Sequence, residues 1–206
     1  GEVSNRIQAS ELQDKGVLAN CHVNVLQTQD HPQFKTYAEE LKWLTTDDTR
    51  MSWVANTITD IATSGNTLIL VDRISAGEIL EKKIKDSVFV SGSTKNMDRK
   101  EQYDEISTAT NKIIIATYGV AAVGINIPRI FNLVLIEPGK SFVRVIQSIG
   151  RGIRKAEDKD SVQIWDITSS CKFAKRHLGA RKKFYKEANY PYNIEKINYA
   201  NPYTRR

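Results

Sequence analysis

Gln147-Ser148-Ile149-Gly150-Arg151-Gly152-Ile153-Arg154 places one amide and two arginines at intervals of four and three. Wound as a helix, Gln147, Gly150, Arg151 and Arg154 share one face, while Phe142, Val145, Ile149 and Ile153 take the other. One face packs. The other offers two guanidinium groups beside a glycine, which has no side chain to hold an anion off. Guanidinium meets phosphate oxygens two at a time and stays charged at any working pH. Such a pair suits the charge that develops on a phosphoryl group in transfer. A solvated basic helix end is the competing reading of the same residues.

A second candidate is the run from Ala116 through Thr117, Gly119, Gly124 and Asn126 to Pro128, which follows an apolar strand. Small residues and two glycines let backbone N–H groups approach an anion. Thr117 has a hydroxyl for a phosphate, and Asn126 an amide for a ribose or for the loop itself. A tight turn with a structural Asn fits the same residues. Gly139-Lys140-Ser141 ends like a phosphate-binding P-loop, but that pattern requires glycine five residues before Gly139, and Val134 stands there. Lys140 therefore reads as an exposed loop cation and Ser141 as a helix cap. No DExD, DExH or HExxH pattern occurs, so no metal site is expected. Asp72 and Asp166, read at strand ends, are the candidate general bases, and His22, His31 and His177 are scattered.

Positioning these residues requires a repeating scaffold. Apolar runs at Val23–Gln27, Thr67–Val71, Ser87–Ser91, Lys112–Thr117, Phe131–Ile136 and Ser161–Asp166 read as strands. Helical spacing is read over Thr36–Leu44, Met51–Ala62, a segment capped by Ser75 and running to Ile84, Met97–Ile106, and Ser170–Ala188. Strand and helix alternate at least five times, which predicts an α/β fold with a parallel sheet covered on both faces. Working residues then belong in loops beyond the strands' carboxyl ends. The tail from Asn198 to Arg206 is expected to be loosely held.

The 206 residues suffice for one large domain or two small ones. A net charge of +6 favours a polyanionic partner. Cys21 and Cys171 form no CxxC pair, which argues against a zinc site or disulfide framework and fits a reducing, cytoplasmic setting. No run of 18 apolar residues or signal-peptide core appears, so no membrane partner is expected. A chain beginning at Gly1, with no initial methionine, reads as a processed piece or as an engineered expression product. Its C-terminal helix carries Lys172, Lys175, Arg176, Arg181, Lys182, Lys183 and Lys186. Two readings stand for it: a grip on DNA, or a solvated helix packed through Phe173, Leu178 and Phe184.

In order, these segments resemble the second RecA-like motor domain of superfamily 2 helicases, most closely the phage UvsW-type branch near the XPB and RecG-like enzymes. Thr67 to Arg73 looks like motif IV. Ser91 to Arg99 is similar to the segment that follows it, Ile115 to Pro128 to motif V, and Gln147 to Arg154 to motif VI. The resemblance divides the chain into a helical lead-in (1–63), a RecA-like core (64–168) and a basic helix with a tail (169–206). It implies ATP and Mg²⁺ held mainly by an N-terminal RecA-like domain of the same protein. It assigns Arg151 and Arg154 as arginine fingers and Gln147 as their coupling to DNA. Gly124, Asn126 and Gly150 would line the nucleotide side, and Thr117, Arg73, Arg99 and Gly92 the nucleic-acid side. Many relatives carry aspartate where Asn126 stands. The implied partner is branched or forked DNA or an RNA–DNA hybrid, in phage recombination, repair or replication. Two other functions stay open: a non-catalytic nucleic-acid-binding module, and the motor of a duplex DNA translocase.

Overall fold

The computed structural model describes residues 20–92, 111–122, 130–140, 142–153 and 161–200, with side chains in the last helix before residue 154 described as far as Ile149. Seven strands lie among them: β1 (Cys21–Thr28), β2 (Thr67–Val71), β3 (Ser87–Val90), β4 (Ile113–Thr117), β5 (Asn132–Ile136), β6 (Val162–Ser169) and β7 (Tyr192–Ile197). The described helices are α1 (Tyr37–Thr46), α2 (Asp48–Ile61), α3 (Ile74–Lys83), α4 (Tyr118–Ala122), α5 (Phe142–Ile153) and α6 (Lys172–Glu187). The expected helix over Met97–Ile106 lies outside the described residues.

The strands join in the order β3-β4-β2-β5-β6-β1-β7, every neighbouring pair parallel. This is the α/β sheet that the alternation of elements predicts. Parallel strands are covered on both faces, so their apolar residues run on without polar interruption. Along β2, Leu68 and Leu70 point to one core and Ile69 and Val71 to the other. The first core takes Phe142, Val145, Ile146 and Ile149 of α5 with Leu178 and Tyr185 of α6. The second takes Met51, Val54 and Ile58 of α2 with Ala76 and Leu80 of α3.

Helix starts follow capping chemistry in two places. Thr36 accepts from the N–H of Glu39 at 3.2 Å, and Asp47 accepts from the N–H of Arg50 at 3.0 Å. The expected Ser75 cap does not form. Arg73 holds that position without a side-chain cap bond, and Ser75 sits inside the helix. Close packing fixes α3 instead. A Cβ on Gly77 would come within 2.3 Å of the Phe89 ring, so glycine lets this helix lie against β3.

Three differences from expectation share one cause. Strand β6 runs to Ser169, which leaves Asp166 inside the strand rather than at its end. Strand β7 has no counterpart among the expected strands, because Tyr192-Asn-Ile-Glu-Lys-Ile197 is a largely exposed edge with four consecutive exposed positions. The first residues of the tail are held through Tyr199, whose hydroxyl donates to Asp30 at 2.6 Å and whose ring lies 6.1 Å from that of Trp53, and residues 201–206 lie outside the described residues. In each case pairing comes from distant residues, and apolar continuity does not report it. Strand β1 sits between β6 and β7, so the N-terminal lead-in supplies a strand to the sheet as well as helices.

Candidate functional site

Three of the expected nucleic-acid residues come together at the carboxyl ends of adjacent strands. Val71 pairs with Thr117, and Val90 with Ala116. Arg73 and Gly92 each lie two residues past those strand partners, so both flank Thr117 across the β3-β4-β2 edge. Arg73 is half-buried and Gly92 exposed, with open space around its Cβ direction. Thr117 is the last residue of β4 rather than part of a loop. Its Oγ1 accepts from the Val120 N–H at 3.2 Å, which takes one of the oxygen's two lone pairs and leaves its O–H to donate. The expected anion loop therefore begins as a helix, α4. Arg99, Gly124 and Asn126 lie outside the described residues.

Helix α5 builds the second part. Phe142, Val145, Ile146 and Ile149 are buried, whereas Gln147 is half-buried and Arg144 exposed. The Ser148 hydroxyl, with carbonyls at 3.1 Å (Ala121) and 3.3 Å (Ala122), ties α5 to the end of α4. The helix continues through Gly150 and Arg151 to Ile153, which places Arg151 one turn beyond Gln147. Arg154 follows outside the described residues. Tyr118 adds a brace, its buried hydroxyl donating to the Ile136 carbonyl at 2.9 Å and joining the ends of β4 and β5.

The P-loop reading of Gly139-Lys140-Ser141 fails in the structure as it does in the sequence. Val134 is buried within β5, where a P-loop needs glycine, and the exposed Lys140 stands in a short link between β5 and α5. No phosphate cradle exists among the described residues, and neither does a cluster of three His, Cys, Asp or Glu side chains for a metal.

The other end of the sheet is closed. Arg50 is fully buried and donates to Glu137 at 2.7 Å, to Thr28 Oγ1 at 3.1 Å and to two backbone carbonyls, with Asp30 3.6 Å away. Burial pushes the Glu137 carboxyl up from its ordinary 4.5 to about 7, against the pull of Arg50 and Arg181. Glu137 also holds a left-handed backbone, φ 45°, at the turn between β5 and α5. Arg181 grips Asp166 through two bonds of 2.8 and 2.9 Å and donates to the Pro138 carbonyl, while Tyr185 donates to Asp166 at 2.7 Å. Asp166 is thus a buried structural anion rather than a general base, and Arg181 belongs to the core rather than to a basic surface. Asp72 is exposed. Among the histidines, His22 bonds Asn193 at 2.7 Å, and the His177 ring lies 4.8 Å from that of Tyr37. Burial lowers the His177 pKa, helped by nearby Arg181 and Lys140.

The sequence did carry a signal for these ion pairs. Arg50 stands four and eight residues before Val54 and Ile58, on the apolar stripe of α2. Arg181 stands three after Leu178 and four before Tyr185 on the stripe of α6. A cation on an apolar stripe is a buried cation, and it needs a carboxylate.

Similarity to known proteins agrees with this geometry. Residues 49–156 match the family of helicase conserved C-terminal domains. The chain is 27% identical over 195 residues to the ATP-dependent DNA helicase uvsW of Enterobacteria phage T4, across 89% of its own length and 39% of the relative's. It therefore spans well under half of that protein. The crystal structure of T4 UvsW superposes with a TM-score of 0.74 at 23% identity, covering 87% of this chain and 42% of that one. The C-terminal domain of the DEAD-box protein Dbp5 superposes with a TM-score of 0.56 at 15% identity, covering 89% of this chain and 92% of that one. The fold is accordingly RecA-like. No described helix is long and apolar enough to cross a membrane. The match over residues 49–156, on a parallel sheet of this order, places this chain in the helicase conserved C-terminal domain family.

Proposed function

We propose that this chain is the second motor lobe of an ATP-dependent DNA helicase or translocase, working with an N-terminal RecA-like lobe of the same protein. The observation that carries the reading is α5. It is anchored by four buried apolar residues and by Ser148, while Gln147 is half-buried and the helix runs on to Ile153. A helix held in this way keeps its arginines in a fixed geometry, which electrostatic stabilisation of a transferred phosphoryl group requires.

In this reading Arg151 and Arg154 reach the γ-phosphate from across the interlobe cleft, and Gly124, Asn126 and Gly150 line the nucleotide side. ATP, with Mg²⁺ on its phosphates, supplies the bond that is cleaved; both are held mainly by the other lobe. Gln147 couples the arginines to the nucleic-acid grip at Thr117, Arg73, Arg99 and Gly92. Once the γ-phosphate no longer bridges the arginines to the other lobe, the lobes part and the two grips shift along the strand. Contacts at the β3-β4-β2 edge go to phosphates, so binding is weakly sequence-dependent and strongly salt-dependent. Similarity to the ATP-dependent DNA helicase uvsW of phage T4 supports DNA as the substrate. Branched DNA or an RNA–DNA hybrid, a role in phage recombination, repair or replication, and work in the host cytoplasm complete the proposal.

Two preparations test the division of labour. The 206-residue chain alone should show no ATP hydrolysis with or without DNA, while the full-length protein hydrolyses ATP in a DNA-stimulated manner. Turnover by the isolated chain would mean that it holds a complete nucleotide site, and the two-lobe reading would fail.

A further inference from the structure

We propose that the outer face of α6 is a docking surface for the phosphate backbone of duplex DNA, separate from the strand-end residues assigned above. The helix buries Ala174, Leu178, Arg181, Phe184 and Tyr185. On its outer side Lys182, Lys175, Lys186, Lys172, Lys183 and Arg176 run in that order around an arc of about 120°. Five of the six are exposed and Lys182 is half-buried. The only acidic residue of the helix is Glu187, at its end. None of the six forms an ion pair with a carboxylate among the described residues, whereas the buried Arg181 on the same helix does. Among the described residues the exposed charge is therefore uncompensated, and the partner it fits is a polyanion.

Two features favour a duplex over an unpaired strand. From Lys172 to Lys186 the helix extends about 21 Å, a rigid row long enough to reach the phosphates of both strands across a duplex groove about 12 Å wide. Sites for unpaired strands add aromatic rings on which bases stack, and this arc has none. The nearest ring, Phe173, is half-buried and already faced by Lys172 and Arg176 at 5.4 and 5.5 Å. Gly179 lies in the middle of the arc and is exposed with open space around it, so a backbone can approach the helix there. The surface also extends toward α5. Lys140 shares a groove of about 100 Å³ with His177 and Ala180, which leads from the edge of the arc to the start of that helix. Duplex held on α6 would lie beside the helix that carries the paired arginines.

The test uses the 206-residue chain without nucleotide, so its outcome does not depend on the motor reading. Affinity for a duplex of about 20 base pairs, longer than α6, and for a single strand of the same length is measured by anisotropy across a salt series. Lys175→Gln/Lys183→Gln/Lys186→Gln should weaken duplex binding tenfold or more at low salt. It should also reduce the slope of log K against log salt by about 2.7, or about 0.9 for each phosphate left without its cation. A charge-matched control, Lys82→Gln/Lys85→Gln/Lys196→Gln, should leave the slope within one unit of the parent. Thermal unfolding verifies that both variants are folded. An unchanged slope in the α6 variant, an equal loss in the control, or tighter binding of the single strand than of the duplex would each overturn the proposal. Equal weakening by anionic vesicles and by duplex in competition would do the same, since it would show an unselective cationic surface.

Discussion

The two halves of the sheet edge treat arginine in opposite ways. Over β5, β6 and β1, Arg50 and Arg181 are enclosed and matched to Glu137, Asp30 and Asp166. At the β3-β4-β2 edge Arg73 is half-buried, and none of the ion pairs among the described residues includes it. The contrast shows which cations the fold consumes. A guanidinium removed from water must be neutralised inside the chain, and once neutralised it has nothing left for a ligand. An arginine that keeps its solvent keeps its capacity for phosphate. Helix α5 follows the closed side, where Glu137 and Pro138 are bound by Arg50 and Arg181, and its sequence leads on to the proposed fingers.

The largest effect expected from this contrast is kinetic. Arg154→Ala in the full-length enzyme should cut ATP turnover by about 10³-fold or more, with DNA binding and melting temperature nearly unchanged. Steady-state hydrolysis beside a thermal melt decides it, and turnover within a few-fold of the parent would remove the finger assignment. Arg181→Ala should do the reverse. It strands the buried Asp166 and should cost about 3–5 kcal/mol of folding stability, read by urea unfolding. A loss below about 1 kcal/mol would mean that the closed half is not held by its ion pairs.

A subtler distinction is pH dependence. With its pKa raised from 4.5 to about 7, Glu137 binds a proton more readily in the folded chain than in the unfolded one. Its contribution to stability is therefore fully present below 4.5, declines as pH rises, and is lost once pH passes about 7. Glu137→Gln should flatten that part of the stability profile, measured by unfolding between about pH 5 and 8. Parallel profiles for the two proteins would show that Glu137 does not titrate there. The smallest effect belongs to the open half. Gly92→Ala meets no atom within 4 Å and should change stability by no more than about 0.5 kcal/mol. A larger loss would mean that this edge is less open than its geometry indicates.

Much of the architecture was legible because its signals are local. The run Thr67–Val71 is apolar and β-rich throughout, and its strand has those same bounds. Helical spacing over Thr36–Leu44 announced α1, and the period of Phe142, Val145 and Ile149 announced the packed face of α5. What escaped was non-local. Strand β7 pairs only with β1, which lies near the other end of the chain, and its own pattern is that of a solvated segment. Asp166 looked like a candidate base because nothing in its neighbourhood names Arg181 as its partner. Ser75 looked like a cap because its type permits one, whereas the helix had already begun.

By itself, then, the sequence determined the alternation of strands and helices, the four ordered motifs and the excess of positive charge, since each depends on residue type and short-range period. Only the tertiary structure decided which cations are available. Availability depends on whether a carboxylate far along the chain is brought within about 3 Å, and no local pattern contains that distance. Arg176 and Arg181 sit five residues apart on one helix, one open to water and one sealed against Asp166. That difference comes from the sheet beneath them.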